Sequence, residues 1–109
     1  MVMAFVPEAG DIVWLDFNPQ AGHEQAGRRP ALVLSPAYYN KHDLMVCVPL
    51  TTKIKGYPME VAIAGTPANV ALADQVKSLD WKARNAALKG KATPAELEAV
   101  RTIARLLVG

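Results

Sequence analysis

A chain of 109 residues, about half of them apolar and with a net charge of +2, is one globular domain and not a disordered segment. No apolar run approaches the ~18 residues a membrane span needs, the first residues lack the basic start of a secretory signal, and a single cysteine, Cys47, excludes an internal disulfide, so a cytoplasmic protein is expected. Residues 1–22 carry Glu8, Asp11 and Asp16 and no Lys or Arg, whereas residues 23–91 hold ten Lys/Arg against five acids, a distribution suited to a polyanion met locally.

Residues 11–17 alternate as a strand, with Val13, Leu15 and Phe17 on one face and Ile12, Trp14 and Asp16 on the other. Large apolar groups on both faces predict that both are covered, with Trp14's face or a neighbouring apolar patch buried by a partner subunit across a two-fold axis. Residues 18–30 show no periodicity and are punctuated by Pro19, Gly22 and Gly27. A connection of that length in a small domain is usually functional or mobile, and it ends in two adjacent guanidinium groups, Arg28 and Arg29.

Residues 31–34 and 44–48 are short apolar runs of strand length, separated by a polar and aromatic connection. Pro49 closes the second run and predicts a sheet edge or end there. A basic, hydroxyl-bearing stretch follows over 50–58, marked as a loop by Gly56 and Pro58. Residues 60–64 and 70–73 read as strands around a turn, 74–79 alternate again, and 88–91 form a short turn-flanked segment. Thr93, Pro94 and Glu96 supply a capping box, with the hydroxyl at N-cap, Pro at N1 and Glu at N3. Leu97, Val100, Ile103, Ala104 and Leu107 then recur at helical spacing, predicting a helix over 94–107. Several short strands followed by one helix predict a mainly β domain, an antiparallel barrel or sheet with a packed helix.

The chemistry on offer is narrow. His23 and Glu24 are adjacent, as are His42 and Asp43, and neither pair has the spacing of a metal-ligand set. P-loop and dinucleotide fingerprints are missing, so no metal or cofactor is expected. Cys47 lies inside an apolar strand, where a cysteine is usually a small buried hydrophobe. What remains is a set of polar groups at strand ends: Glu24, Gln25, Arg28, Arg29, Thr51, Thr52, Lys53, Lys55, Asp74, Gln75 and Lys77. Arg and Lys hold phosphate, Thr donates and accepts, and Gln reads a base edge. RNA cleavage needs little more, because the ribose 2′-hydroxyl is the nucleophile and the protein must position it and stabilise the phosphorane. Each residue also has an ordinary structural reading: Thr51 satisfying a strand-end carbonyl, Arg29 pairing with Glu24 or Asp16, Asp74 capping a turn.

Three pieces carry a resemblance. Gly10-Asp11-Ile12, Glu24-Gln25-Ala26-Gly27-Arg28-Arg29-Pro30 and Asp74-Gln75-Val76-Lys77-Ser78 occur together, in an order and spacing that resemble the MazF/PemK family of toxin ribonucleases, nearest its MazF branch. The resemblance spans nearly the whole chain and implies a single toxin domain over 1–109. It implies an SH3-like, strongly curved antiparallel barrel with a C-terminal helix, assembled as a homodimer. It further implies metal-independent, sequence-specific cleavage of single-stranded RNA to a 2′,3′-cyclic phosphate and a 5′-hydroxyl, and a cognate MazE-like antitoxin with an acidic tail. The family's catalytic Arg and Thr fall on Arg29 and Thr51, and RNA contacts on Glu24, Gln25, Arg28, Lys53, Lys55, Gln75 and Lys77. Two departures flank the catalytic position: Arg28 stands where a close relative has His, and His23 where Ser is common. The segment between Asn40 and Cys47 is one residue shorter. The competing readings are a CcdB-like toxin of the same fold that binds DNA gyrase and cleaves nothing, and a non-catalytic RNA-binding module.

Overall fold

The computed structural model describes residues 5–17 and 27–109. They form β1 (Asp11–Asp16), β2 (Arg28–Val33), α1 (Ala37–Asn40), β3 (Leu44–Thr51), β4 (Glu60–Ile63), β5 (Asn69–Leu72), β6 (Lys77–Asp80), β7 (Ala87–Lys91) and α2 (Pro94–Val108). Every pairing is antiparallel, in the order β4-β5-β3-β2-β1-β7, with β6 also on β3. The result is a curled, half-barrel sheet with a C-terminal helix, as the sequence predicts.

Alternation along the three central strands sorts their side chains into two cores. Ile12, Leu32, Val48 and Leu50 join Ile63, Ala71 and Val100 of α2 on one face. Val13, Leu15, Ala31, Val33, Met45 and Cys47 pack with Trp81 on the other. Full burial of each Val or Leu contributes about 1.5–3 kcal/mol, so both faces are strongly specified and a one-residue register slip would exchange them. The chain itself covers the second face of β1 at Ile12, whereas Trp14 on that face stays half-buried.

Two local expectations are corrected. Pro49 does not end its strand: β3 continues to Thr51, and Pro49 sits opposite Ala31 of β2. On its other edge β3 pairs with β6 along Leu44–Cys47 and with β5 only from Leu50. Pro49 thus falls in the gap between two neighbours, where a missing N–H breaks no ladder bond. The second correction is α1, a single turn in the stretch expected to be an irregular connection. Asn40 at its end is fully buried, and the Trp81 indole N–H donates to its carbonyl at 2.7 Å.

α2 starts as its capping box requires. The Thr93 hydroxyl accepts from the Glu96 amide at 3.1 Å, and the Glu96 carboxylate accepts from the Thr93 amide at 2.8 Å. The second Glu96 oxygen accepts from the Ala64 amide at 2.7 Å, tying the helix to the end of β4. These contacts, the Thr93 amide foremost, hold the Glu96 carboxyl below its ordinary range.

Candidate nucleic-acid interface

A cavity of about 390 Å³ opens on the α2 side of the sheet. The buried core residues Ile12, Leu50 and Ile63 close it from below, and Trp14 and Pro30 line its sides. Its polar groups are Arg29, Thr51, Thr52, Lys53, Thr66, Asn69 and Lys89. Among the described residues lining it there are three cations and no carboxylate. Such a concave, one-signed surface concentrates anions.

Each polar group arrives by a distinct route. Arg29 is the second residue of β2, opposite Leu15 in the β1 register, and is exposed. Thr51 is the last residue of β3, with its backbone paired to Val70. The Thr51 hydroxyl accepts from the Lys53 amide at 3.0 Å, a local turn bond that fixes the side chain while its own O–H remains available to donate. Arg29, from the start of one strand, and Thr51, from the end of another, thus face one cavity.

Lys89, Trp14, Thr66 and Asn69 are cavity residues not among the candidates selected from sequence. The β1–β7 register shifts between Ile12, which faces Gly90, and Val13, which faces Leu88. Lys89 is the extra residue of that bulge, a device that re-aims a side chain. Its ammonium lies 5.2 Å from the centre of the Trp14 ring, within cation–π range. Gly90 beside it was the available signal, since an isolated glycine in a strand often marks a bulge.

The other expected contacts are dispersed. Glu24 and Gln25 lie outside the described residues. Lys55 is exposed in the connection over 52–59, where the Lys55 and Gly56 amides donate to the Glu60 carboxylate at 2.9 and 2.8 Å. Gln75 is exposed in the turn before β6, and Lys77 opens β6 opposite Cys47. None of these three lines the cavity. Arg28 donates to Asp16 at 2.9 Å and to the Asn85 carbonyl at 2.7 Å, so Asp16, one of the two acids considered for Arg29, is held by Arg28.

Cys47 is buried, and desolvation pushes its thiol up to about 12, which leaves it neutral and unsuited to nucleophilic attack. No group of three or more His, Cys, Asp or Glu residues able to hold a metal occurs among the described residues. Nor is any helix among them long and apolar enough to cross a membrane.

A curled sheet that brings an arginine and a threonine to one cationic cavity defines a class that comparison with known proteins identifies. Residues 8–108 match the family model described as PemK-like, MazF-like toxin of type II toxin–antitoxin systems. The chain belongs to that family. It is 51% identical to the endoribonuclease toxin MazF of Escherichia coli K12, over the full length of both. It superposes on a MazE–MazF crystal structure from Deinococcus radiodurans with a TM-score of 0.90, at 50% identity, covering 97% of this chain and 98% of that one. A mycobacterial endoribonuclease in complex with its cognate antitoxin aligns with a TM-score of 0.75 at 25% identity, over 94% and 95% of the two chains.

Proposed function

We propose that this protein is a toxin endoribonuclease that cleaves single-stranded RNA at preferred sequences without a metal ion, and is restrained by a cognate MazE-like antitoxin. The observation that carries the reading is the meeting of Arg29 and Thr51 in one cavity with Lys53 and Lys89 and no lining carboxylate. The ribose 2′-oxygen attacks the adjacent phosphorus and loses its proton, the bond to the 5′-oxygen breaks, and that oxygen gains a proton. Products are a 2′,3′-cyclic phosphate and a 5′-hydroxyl. Arg29 offers a planar, two-pronged donor to the non-bridging oxygens, where negative charge grows. The Thr51 hydroxyl donates to the same group, and Lys53 grips a neighbouring phosphate. Glu24, Gln25 and Gln75 are the candidates for reading base edges, with Lys55 and Lys77 serving phosphates beyond the cavity. Convergence of Arg29 and Thr51 favours cleavage over a gyrase-binding toxin of the same fold.

Purified protein mixed with RNA in excess EDTA is expected to produce fragments with 5′-hydroxyl ends. Affinity for an uncleavable RNA should fall with salt at a slope of roughly 0.7 per phosphate neutralised, hence about 2 for the three cavity cations. RNA retained but left intact, or an affinity flat over a tenfold salt range, would sink this reading.

We also propose a homodimer. Trp14 is half-buried in the single chain, and a further exposed apolar patch lies at the end of α2. There Leu106, Leu107 and Val108 are 77%, 54% and 79% exposed, more than isolated surface hydrophobes need. Sedimentation at micromolar concentration should give the mass of two chains, and a monomer in moderate salt would contradict it.

A further inference from the structure

At the outer end of β1, three segments distant in sequence meet in a closed polar ring. The β1–β7 ladder stops at Trp14 opposite Ala87, short of the end of β1 at Asp16. The Asp16 amide instead donates to the Arg84 carbonyl at 2.9 Å, and the Arg84 guanidinium donates to the Asp16 carbonyl at 3.1 Å. The Asp16 carboxylate is divided between two donors, Arg28 on Oδ1 at 2.9 Å and the Asn85 side-chain amide on Oδ2 at 2.8 Å. Arg28 closes the ring by donating to the Asn85 carbonyl at 2.7 Å. Asn85 has φ of +53°, a left-handed conformation that asparagine tolerates better than most residues. With that backbone its side-chain amide and its carbonyl serve two members of the same ring.

Arg28 is both the first residue of β2 and the immediate neighbour of Arg29. Anchoring Arg28 on the ring fixes the backbone at the start of β2, from which the next residue, Arg29, reaches the lining of the cavity. Exposed ion pairs contribute little to folding stability, and Arg28 and Asp16 are 39% and 36% exposed. Their arrangement is better suited to setting geometry than to holding the fold together.

We propose that Asp16, Arg28 and Asn85 form a clasp that positions Arg29 for cleavage without touching RNA; this rests on the nuclease reading above. Arg28, the residue that departs from the close relative's His, then acts through its neighbour and not as a phosphate contact. The Asn85 amide first and the Arg28 guanidinium next lower the Asp16 carboxyl from its ordinary range, because both donate to its ionised form.

The test is steady-state cleavage of a short defined RNA by Arg28→Met, Asp16→Asn, their double variant and Asn85→Gly, with melting temperatures in parallel. The Gly variant accepts the left-handed backbone and removes only the side-chain amide. We expect kcat to fall about tenfold or more in the first two variants and less in Asn85→Gly, with KM nearly unchanged, because small misplacements of a positioned group are costly. The double variant should be no slower than the worse single one, as for residues acting as a unit. A raised KM with unchanged kcat and a salt slope lowered by about 0.7 in Arg28→Met would make Arg28 a phosphate contact and overturn the clasp. A lower melting temperature with unchanged kcat would make the ring merely structural, and no change in either would also overturn it. If Asp16→Asn does not fold, Asn85→Gly decides alone. A wild-type protein that cleaves no RNA would remove the nuclease reading itself, an outcome separate from clasp variants that cleave at the wild-type rate.

Discussion

Arg29→Ala is expected to slow cleavage of a defined RNA by roughly 10²–10³-fold or more, the loss typical when a preorganised donor to a developing oxyanion is removed. Binding of a 2′-deoxy analogue should weaken far less, because the guanidinium's gain is greatest once charge accumulates on the phosphorane. Arg29→Lys should restore little, since an ammonium lacks the planar fork that meets two oxygens together. Thr51→Val keeps the volume but removes the hydroxyl that faces the cavity, and should slow cleavage with the fold intact. Thr51→Ser should keep part of the activity. Arg29 is exposed on β2 and outside both hydrophobic cores, so melting temperatures should move little. A folded Arg29→Ala protein cleaving at near wild-type rate would end its catalytic assignment.

Much of the framework is legible in local sequence because local rules build it. The capping box at Thr93 and Glu96 sets the start of α2, and the apolar repeat carries it to its end one residue beyond expectation. The alternation in β1 correctly implies cover on both sides, but sequence alone does not say what covers it. At Ile12 the chain supplies that cover by curling the sheet and packing Val100 of α2 into the same core, which takes contacts between residues far apart in sequence. The same limit hides the passage of β3 through Pro49. A proline reads as a stop unless one knows that two neighbouring strands divide the edge and leave a gap at that residue.

The site divides along similar lines. Arg29 and Thr51 could be selected because each stands at a strand end in a recognisable motif, and the cavity contains both. Lys89 could not, since its direction depends on a bulge in the β1–β7 pairing. Arg28 looks like a second phosphate-binding cation in a basic stretch. Its partners are Asp16 and Asn85, which belong to other segments and become visible only when the sheet closes. A charge read from sequence reveals its sign but not the groups already holding it.

The second large effect is expected away from the cavity, at Asn40. Its side-chain amide donates to the carbonyls of Pro7 and Ser35, both at 2.8 Å, and its side-chain oxygen accepts from the Ser35 hydroxyl at 2.6 Å. Ser35 Oγ accepts in turn from the Val46 amide at 2.8 Å, so this buried group is fully satisfied. Asn40→Asp changes the shape hardly at all, but sets an oxygen where two carbonyls expect a donor. As a carboxylate it would be a buried charge without a cation, costing about 3–5 kcal/mol. Protonated, it could still donate to one carbonyl, so the folded state should hold that proton more tightly than the unfolded chain, where aspartate titrates near ~3.9. The folded protein then binds more protons, and the variant's stability should fall as pH rises above that unfolded value, levelling only past the raised folded value. Urea midpoints at pH 5 and pH 8, each referred to wild type, should show the larger deficit at pH 8. Asn40→Ala orphans the same two carbonyls but introduces no charge, so its deficit of about 1–3 kcal/mol should be nearly independent of pH. Asn40 adjoins the Trp81 core and is not among the residues lining the cavity that contains Arg29 and Thr51, so cleavage per folded molecule should be preserved in both variants. Equal deficits at the two pH values would refute the donor arrangement assigned to Asn40.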